Sequence, residues 1–139
     1  MSPKRPTNMT LSPEQEDLVS AARDARSRAY APYSEFTVGA ALDVGDGHVF
    51  FGSNIENASY GLTICAERAA VASAIAGGFR DFEAIAIAGP EDALTSPCGA
   101  CRQVLAEFNP QMTVIFTTPE GPVMKSLAEL LPYSFSSQL

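Results

Sequence analysis

All three cysteines of the 139-residue chain fall in two short segments, Thr63-Ile64-Cys65-Ala66-Glu67-Arg68 and Ser96-Pro97-Cys98-Gly99-Ala100-Cys101-Arg102. A thiol with a carboxylate two positions on, followed downstream by Pro-Cys-x-x-Cys, offers three soft ligands to a metal and leaves one acid uncommitted. Three protein ligands is the count of a hydrolytic zinc site, whose fourth tetrahedral position stays open to water. Cys65, Cys98 and Cys101 are the candidate ligands of one Zn²⁺ per chain, and Glu67 is the spare acid, free to carry protons. Three thiolates around the ion leave a formal charge of −1. Two helix N-termini aimed at the ligands, with Arg68 and Arg102 beside the ligand segments, are the devices on hand to offset it.

Two plainer readings compete. Cys98-Gly99-Ala100-Cys101 opening a helix after a strand is also the arrangement of a thioredoxin-type redox couple. A dithiol couple, however, has no use for a third thiol with a carboxylate beside it. A closed structural zinc site would want a fourth Cys or His, and the only histidine, His48, stands in an expected hairpin, where it is read as an exposed strand-start residue without chemistry.

Composition narrows the partners. The formal net charge is −7, with only nine Lys and Arg, two of them in the first eleven residues. Proteins that bind nucleic acid draw much of their affinity from basic groups on phosphates, so a polymeric substrate is excluded in favour of a small, neutral or weakly charged ligand. With 46% hydrophobic residues and no repeat, the chain is expected to form a flexible tail over 1–11 and a single domain over 12–139. No apolar run approaches the roughly 20 residues of a membrane span, and the start lacks a signal-peptide core. An odd number of cysteines inside one chemical motif argues against a secreted disulfide scaffold. A cytoplasmic protein is the expectation.

The elements that must position these residues can be traced in order. Ser12-Pro13-Glu14-Gln15 predicts a capped helix start, with the helix running to about Ala29 and burying a narrow face of Leu18, Ala22, Ala25 and Ala29. Alternation from Phe36 to Val44, the turn Gly45-Asp46-Gly47 and a return over 48–53 predict an antiparallel hairpin. A polar loop from Asn54 to Gly61 precedes a helix over 64–76 with Cys65 in its first turn and Gly77-Gly78 as its stop. A strand over 83–89 leads through a loop to a second ligand-bearing helix, from Cys98 to about Phe108. A strand over 112–117 and a short helix over about 126–131 follow. The count is about five strands and four or five helices, an α/β fold with the sheet covered on both faces.

The segments Tyr33-Ser34-x-Phe36-x-Val38-Gly39-Ala40-Ala41-Leu42, Asn54-Ile55-Glu56-Asn57-Ala58-Ser59-Tyr60-Gly61-Leu62-Thr63-Ile64-Cys65-Ala66-Glu67-Arg68, Pro97-Cys98-Gly99-Ala100-Cys101-Arg102-Gln103 and Leu130-Leu131-Pro132-x-x-Phe135 resemble the small homotetrameric cytidine deaminases. The zinc signature by itself points to the deaminase superfamily; the Asn-x-Glu-Asn-Ala-Ser-Tyr-Gly run ahead of it points to the free-nucleoside branch. The resemblance implies a three-layer α/β/α fold with a mixed five-stranded sheet. It implies hydrolysis of cytidine and deoxycytidine to uridine and deoxyuridine with release of ammonia, in pyrimidine salvage. Cys65, Cys98 and Cys101 would hold zinc, and Glu67 would pass a proton from the activated water to ring N3. Phe36 would stack on the base, Asn54 and Glu56 would bind ribose hydroxyls, and the backbone of Ala66 and the carbonyl near Ser96 would touch the pyrimidine edge. Tyr60 and Phe135 would reach into the site of a neighbouring subunit. Tyr133 and Ser134 depart from the small residues common in the family there. The alternatives are a deaminase of an aminonucleoside antibiotic such as blasticidin S, and a non-catalytic zinc-stabilised binding module.

Overall fold

The computed structural model describes residues 10–136. Its centre is a five-stranded mixed sheet in the order β2-β1-β3-β4-β5, formed by β1 (Gly39–Asp43), β2 (Val49–Ser53), β3 (Ala84–Ala88), β4 (Thr113–Thr118) and β5 (Gly121–Ser126). β3 and β4 are parallel and the other neighbours antiparallel. The parallel pair requires a crossover, and α3 (Gly99–Phe108) supplies it between β3 and β4.

Helix α1 (Pro13–Ala25) covers one face, while α2 (Ala66–Ala76), α3 and the short α4 (Leu127–Leu130) cover the other. The period of two along the central strands sorts side chains by size. Ala41, Ala86, Ala88 and Ile115 face α1, whereas Leu42, Ile85, Ile87, Val114 and Phe116 face the α2–α3 side. The small-residue face expected of the first helix is thus met by a sheet face that is itself mostly alanine, so helix and sheet pack closely.

Two glycines mark where helix backbone presses against the sheet. A Cβ on Gly39 would lie 2.1 Å from the carbonyl oxygen of Ala22 in α1. One on Gly52 would lie 2.2 Å from the carbonyl oxygen of Ala66 and 2.4 Å from the nitrogen of Ala70 in α2. Only a residue without a side chain lets α2 sit this near the edge strand, and α2 carries Cys65 and Glu67.

Several boundaries differ from the sequence reading, each for a local reason. Ser12 and Gln15 form the expected capping box, but α1 ends at Ala25 and continues as a single 3-10 turn, Arg26–Arg28, before Tyr30 bridges to Ile55. Phe36 to Val38 alternate like a strand yet enter no ladder; the Asn54 side chain bridges Phe36 and Val38, and its backbone N–H donates to the Val38 carbonyl (3.2 Å). Cys65 is the N-cap of α2 rather than a first-turn residue, because Ile64 is taken up by an antiparallel bridge to Ile55. β5 is the element the pattern did not single out: it begins Gly121-Pro122 and is half-buried on both faces. Proline is tolerated because β5 is an outer strand. Of the expected tail, residues 1–9 lie outside the described residues, and Leu11 is buried against Leu18 and Val19. No helix among the described residues is long and apolar enough to cross a membrane.

The close seat of α2 has a measurable consequence. Gly52→Ala should destabilise the protein by about 1–3 kcal/mol or more, the usual cost of overpacking, and lower Tm by several degrees. Gly61→Ala, where a Cβ meets nothing within 4 Å, should stay within about 0.5 kcal/mol of the parent. Equal Tm values for the two variants would show that α2 does not rest on β2 as described.

Candidate active site

Both cysteine segments place their thiols where a helix begins. Cys65 is the N-cap of α2, Cys98 is the N-cap of α3, and Cys101 lies in the first turn of α3. No side chain caps either helix by hydrogen bonding. Each cysteine segment therefore stands at the positive end of a helix. The three Sγ atoms lie within 4.8 Å of one another, and Cys65 and Cys98 are 4.0 Å apart. A tetrahedral Zn–S bond of ~2.3 Å sets sulfurs about 3.8 Å apart, so the thiols need to close only slightly to share one ion.

The electrostatics suit a cation. The Cys65 thiol is pulled down to about 5, first by a hydrogen bond from Cys101 and then by Arg68. Cys101 is pushed well up, because it gives that hydrogen bond and is buried. An ion of charge two among the three sulfurs would draw their protons off. The donor set fits zinc.

Glu67, in the first turn of α2, is only 5% exposed. Burial holds its carboxyl above the usual carboxylate range, and the Cys65 charge pushes the same way. Arg68 extends its Nη2 to 3.6 Å from Cys65 Sγ and 3.5 Å from the Thr63 carbonyl. Its Nε is buried and meets no hydrogen-bond acceptor. Arg102 is used differently: Nε donates to the Pro97 carbonyl (2.8 Å) and Nη1 to the Leu130 carbonyl (2.7 Å). These bonds tie the Cys98 loop to α4, and no feature of the sequence distinguished that use from charge balancing.

A cleft of about 230 Å³ opens beside the thiols, with Phe36, Asn54, Ala66, Glu67 and Ser96 in its wall. An adjoining cleft of about 440 Å³ is lined by Tyr33, Ser34, Glu56, Asn57 and Tyr60, and Thr63 belongs to both. Asn54 is buried and spans two backbone groups, its Nδ2 donating to the Phe36 carbonyl and its Oδ1 accepting from Val38 N–H, both at 2.8 Å. Glu56 accepts from Tyr33 N–H, Ser34 N–H and the Ser34 hydroxyl. The Ser34 hydroxyl is the main reason its carboxyl titrates below the usual value.

The structure therefore gathers Cys65, Cys98, Glu67, Phe36, Asn54 and Ala66 about one cleft, with the buried Cys101 beside the other two thiols, and Glu56 with Tyr60 about the next. Phe135 lines neither; it is 81% exposed, with its carbonyl accepting from Gln103 Nε2 at 3.0 Å. Tyr60 is 78% exposed and meets the Tyr33 ring edge-on at 6.4 Å. Ser34 and Thr95 are wall residues that sequence reasoning left without a role. For Ser34 a signal existed, since a serine two positions before Phe36 can close a local turn with its hydroxyl.

Residues 12–118 match the family model of the cytidine and deoxycytidylate deaminase zinc-binding region. A cytidine deaminase of Sporosarcina psychrophila is 46% identical over 125 residues, 88% of this chain and 92% of that protein. The crystal structure of a cytidine deaminase from Burkholderia pseudomallei aligns with a TM-score of 0.82 at 50% identity, covering 86% of this chain and 98% of its own. A blasticidin-S deaminase of Bacillus cereus is more distant, 28% identical over 91% of this chain and 95% of that protein. Since the match runs through both cysteine segments and Glu67, and the sheet and helices superpose as well, the chain belongs to the zinc-dependent cytidine and deoxycytidylate deaminase family.

Proposed function

We propose that this protein hydrolyses cytidine and deoxycytidine to uridine and deoxyuridine, releasing ammonia, and serves pyrimidine salvage. The observation that carries this is a buried carboxylate, Glu67, in the wall of a nucleoside-sized double cleft beside three converging thiols. Cys65, Cys98 and Cys101 would hold Zn²⁺, which supplies a water acidic enough to act as nucleophile near neutral pH.

The chain's own residues do the rest. Phe36 and the backbone of Ala66 and Ser96 would hold the pyrimidine ring in the smaller cleft, while Asn54 and Glu56 would fix the sugar. A site built to hydrogen-bond a sugar hydroxyl discriminates against a free base, which cannot supply that donor to Glu56. Glu67 would take the proton of the attacking water and give it to ring N3 as oxygen adds to C4. It would then help protonate the amine that leaves. Burial serves this by holding the carboxyl above the ordinary range, so that the proton it has accepted can be passed on. The balance is one water consumed and one ammonia released.

Two observations weigh against the other readings. The antibiotic deaminase is the more distant relative, at 28% identity against 46%. A structural zinc module has no use for a buried acid next to its metal. The exposed apolar groups support a homotetramer: Tyr60, Leu62 and Phe135 each present most of their surface to solvent, apolar area that a monomer has little reason to carry. In that assembly Tyr60 and Phe135 would complete a neighbour's site. A cytoplasmic location accords with three free thiols.

Three measurements bear on this reading. Metal analysis of protein purified without added zinc should give one zinc per chain; a Cys98–Cys101 disulfide with substoichiometric metal in a fresh reduced preparation would return the redox reading. Glu67→Gln should keep fold and zinc while losing at least about a hundredfold in kcat, the low end for general acid–base help. Activity near that of the parent would sink the proton shuttle. For assembly, the inactive variants Glu67→Gln and Phe135→Ala should regain part of the activity when unfolded and refolded together, because a hybrid can pair an intact Glu67 with a Phe135 from another chain. No recovery in a mixed oligomer would show that the tail completes no neighbouring site.

A further inference from the structure

The segment from Tyr33 to Val38 carries the base-facing Phe36 but belongs to no strand. Side chains hold it from three sides. Glu56 Oε1 accepts from Tyr33 N–H (3.0 Å) and Ser34 N–H (3.1 Å), and Asn54 bridges Phe36 and Val38. Arg26 donates to the Thr37 carbonyl (3.1 Å) and hydroxyl (3.0 Å) from the far side. Inside this frame Glu35 has φ 60°, a left-handed conformation that non-glycine residues rarely adopt. Such a residue persists where its surroundings over-determine it, and these clamps do so.

One side chain joins the two halves of the frame. The Ser34 hydroxyl gives its single proton to Glu56 Oε2 and accepts the Phe36 N–H at 3.0 Å. A carboxylate has about four acceptor positions. Two on Oε1 are taken by backbone N–H groups and one on Oε2 by Ser34, which leaves one direction on Oε2 for an incoming donor. Glu56 lines the larger cleft and Phe36 the smaller, so the same hydroxyl touches the acid of one compartment and the backbone of the ring in the other.

We propose that Ser34 is a specificity-determining positioning residue: its hydroxyl aims Glu56 at a single sugar hydroxyl and sets the Phe36 ring, so that sugar and base are read by one hydrogen-bonded unit. The inference rests on the nucleoside reading of the two clefts. Ser34 itself is exposed and outside every core cluster, so its replacement by alanine removes no core contact.

The test is a double-mutant cycle on the zinc-loaded enzyme, with kcat and KM for cytidine, zinc content and Tm measured for Ser34→Ala, Glu56→Ala and the pair. Ser34→Ala should raise KM about tenfold, the effect of losing one hydrogen bond to a charged group, with kcat within about threefold and zinc unchanged. Ser34→Thr, which keeps the hydroxyl, should restore KM. In the Glu56→Ala background the further change on Ser34→Ala should shrink to about twofold. A parental KM in Ser34→Ala overturns the inference, as does an equal rise in both backgrounds or a fall in Tm without change in KM. A wild-type enzyme inert toward cytidine overturns the functional reading instead. An active one in which Glu56→Ala leaves KM unmoved overturns the sugar role of Glu56 and this inference with it.

Discussion

The convergence of two helix N-termini on one point is the constraint from which the rest of the molecule follows. Three thiolates and a carboxylate within a few ångströms would repel one another strongly in a half-buried setting. Each helix end offsets only about 0.3–1 kcal/mol of that for an exposed charge, and up to ~2 kcal/mol when partly buried. Arg68, at 3.6 Å from Cys65 Sγ, adds an attraction that solvent screening of this half-buried pair reduces to about 1 kcal/mol. The guanidinium and the helix ends therefore contribute on the same scale, and the helix ends act on the geometry as much as on the charge. They fix where the sulfurs stand, because an N-cap residue has no freedom to drift along the helix that it begins.

That geometry is transmitted to the sheet through contacts that only small residues allow. α2 reaches its position because Gly52 has no side chain, and α1 reaches the opposite face because Gly39 has none and alanines carpet the sheet there. α3 is fixed differently, as the crossover of the only parallel strand pair among the described residues, so its N-terminus opens at the carboxyl end of β3. Arg102 then ties the loop ahead of α3 to the end of α4. A displacement of α4 would accordingly be felt at Pro97, next to a thiol, although α4 contributes no group to the chemistry.

The features most legible in the chain were those that depend on residue type and spacing. The three thiols, the acid beside them, the Ser12 capping box, the β1–β2 hairpin and the glycine stop after α2 each follow from local physics, and the structure has them. The features that stayed hidden depend on long-range pairing. β5 reads poorly because a strand half-buried throughout has no reason to alternate, and as the last strand of the described sheet it can hold Pro122. Phe36 to Val38 alternates for another cause: Phe36 faces a cleft, and Asn54 supplies the hydrogen bonds that a neighbouring strand would otherwise give. Arg102 could not be told from an ordinary surface or charge-balancing arginine, because its acceptors are backbone carbonyls, one in the loop ahead of α3 and one at the end of the sequence-distant α4. Periodicity reports what is buried, not which partner buries it.

The site also divides its labour by the kind of backbone that holds each part. Cys65, Glu67, Cys98 and Cys101 stand on helix termini seated against the sheet, where movement would disturb the core. Phe36, Glu56 and Tyr60 stand on irregular segments, the first two held by side-chain hydrogen bonds. Under the proposed function, chemistry sits on the helix termini and recognition on the loops. Glu56 accepts three hydrogen bonds from the protein and keeps one direction open, while the Asn54 amide is engaged with backbone through both its oxygen and its nitrogen. A nucleoside would therefore meet a few fixed openings rather than a set of free polar groups, and selectivity would come from how many of them its sugar and base fill at once.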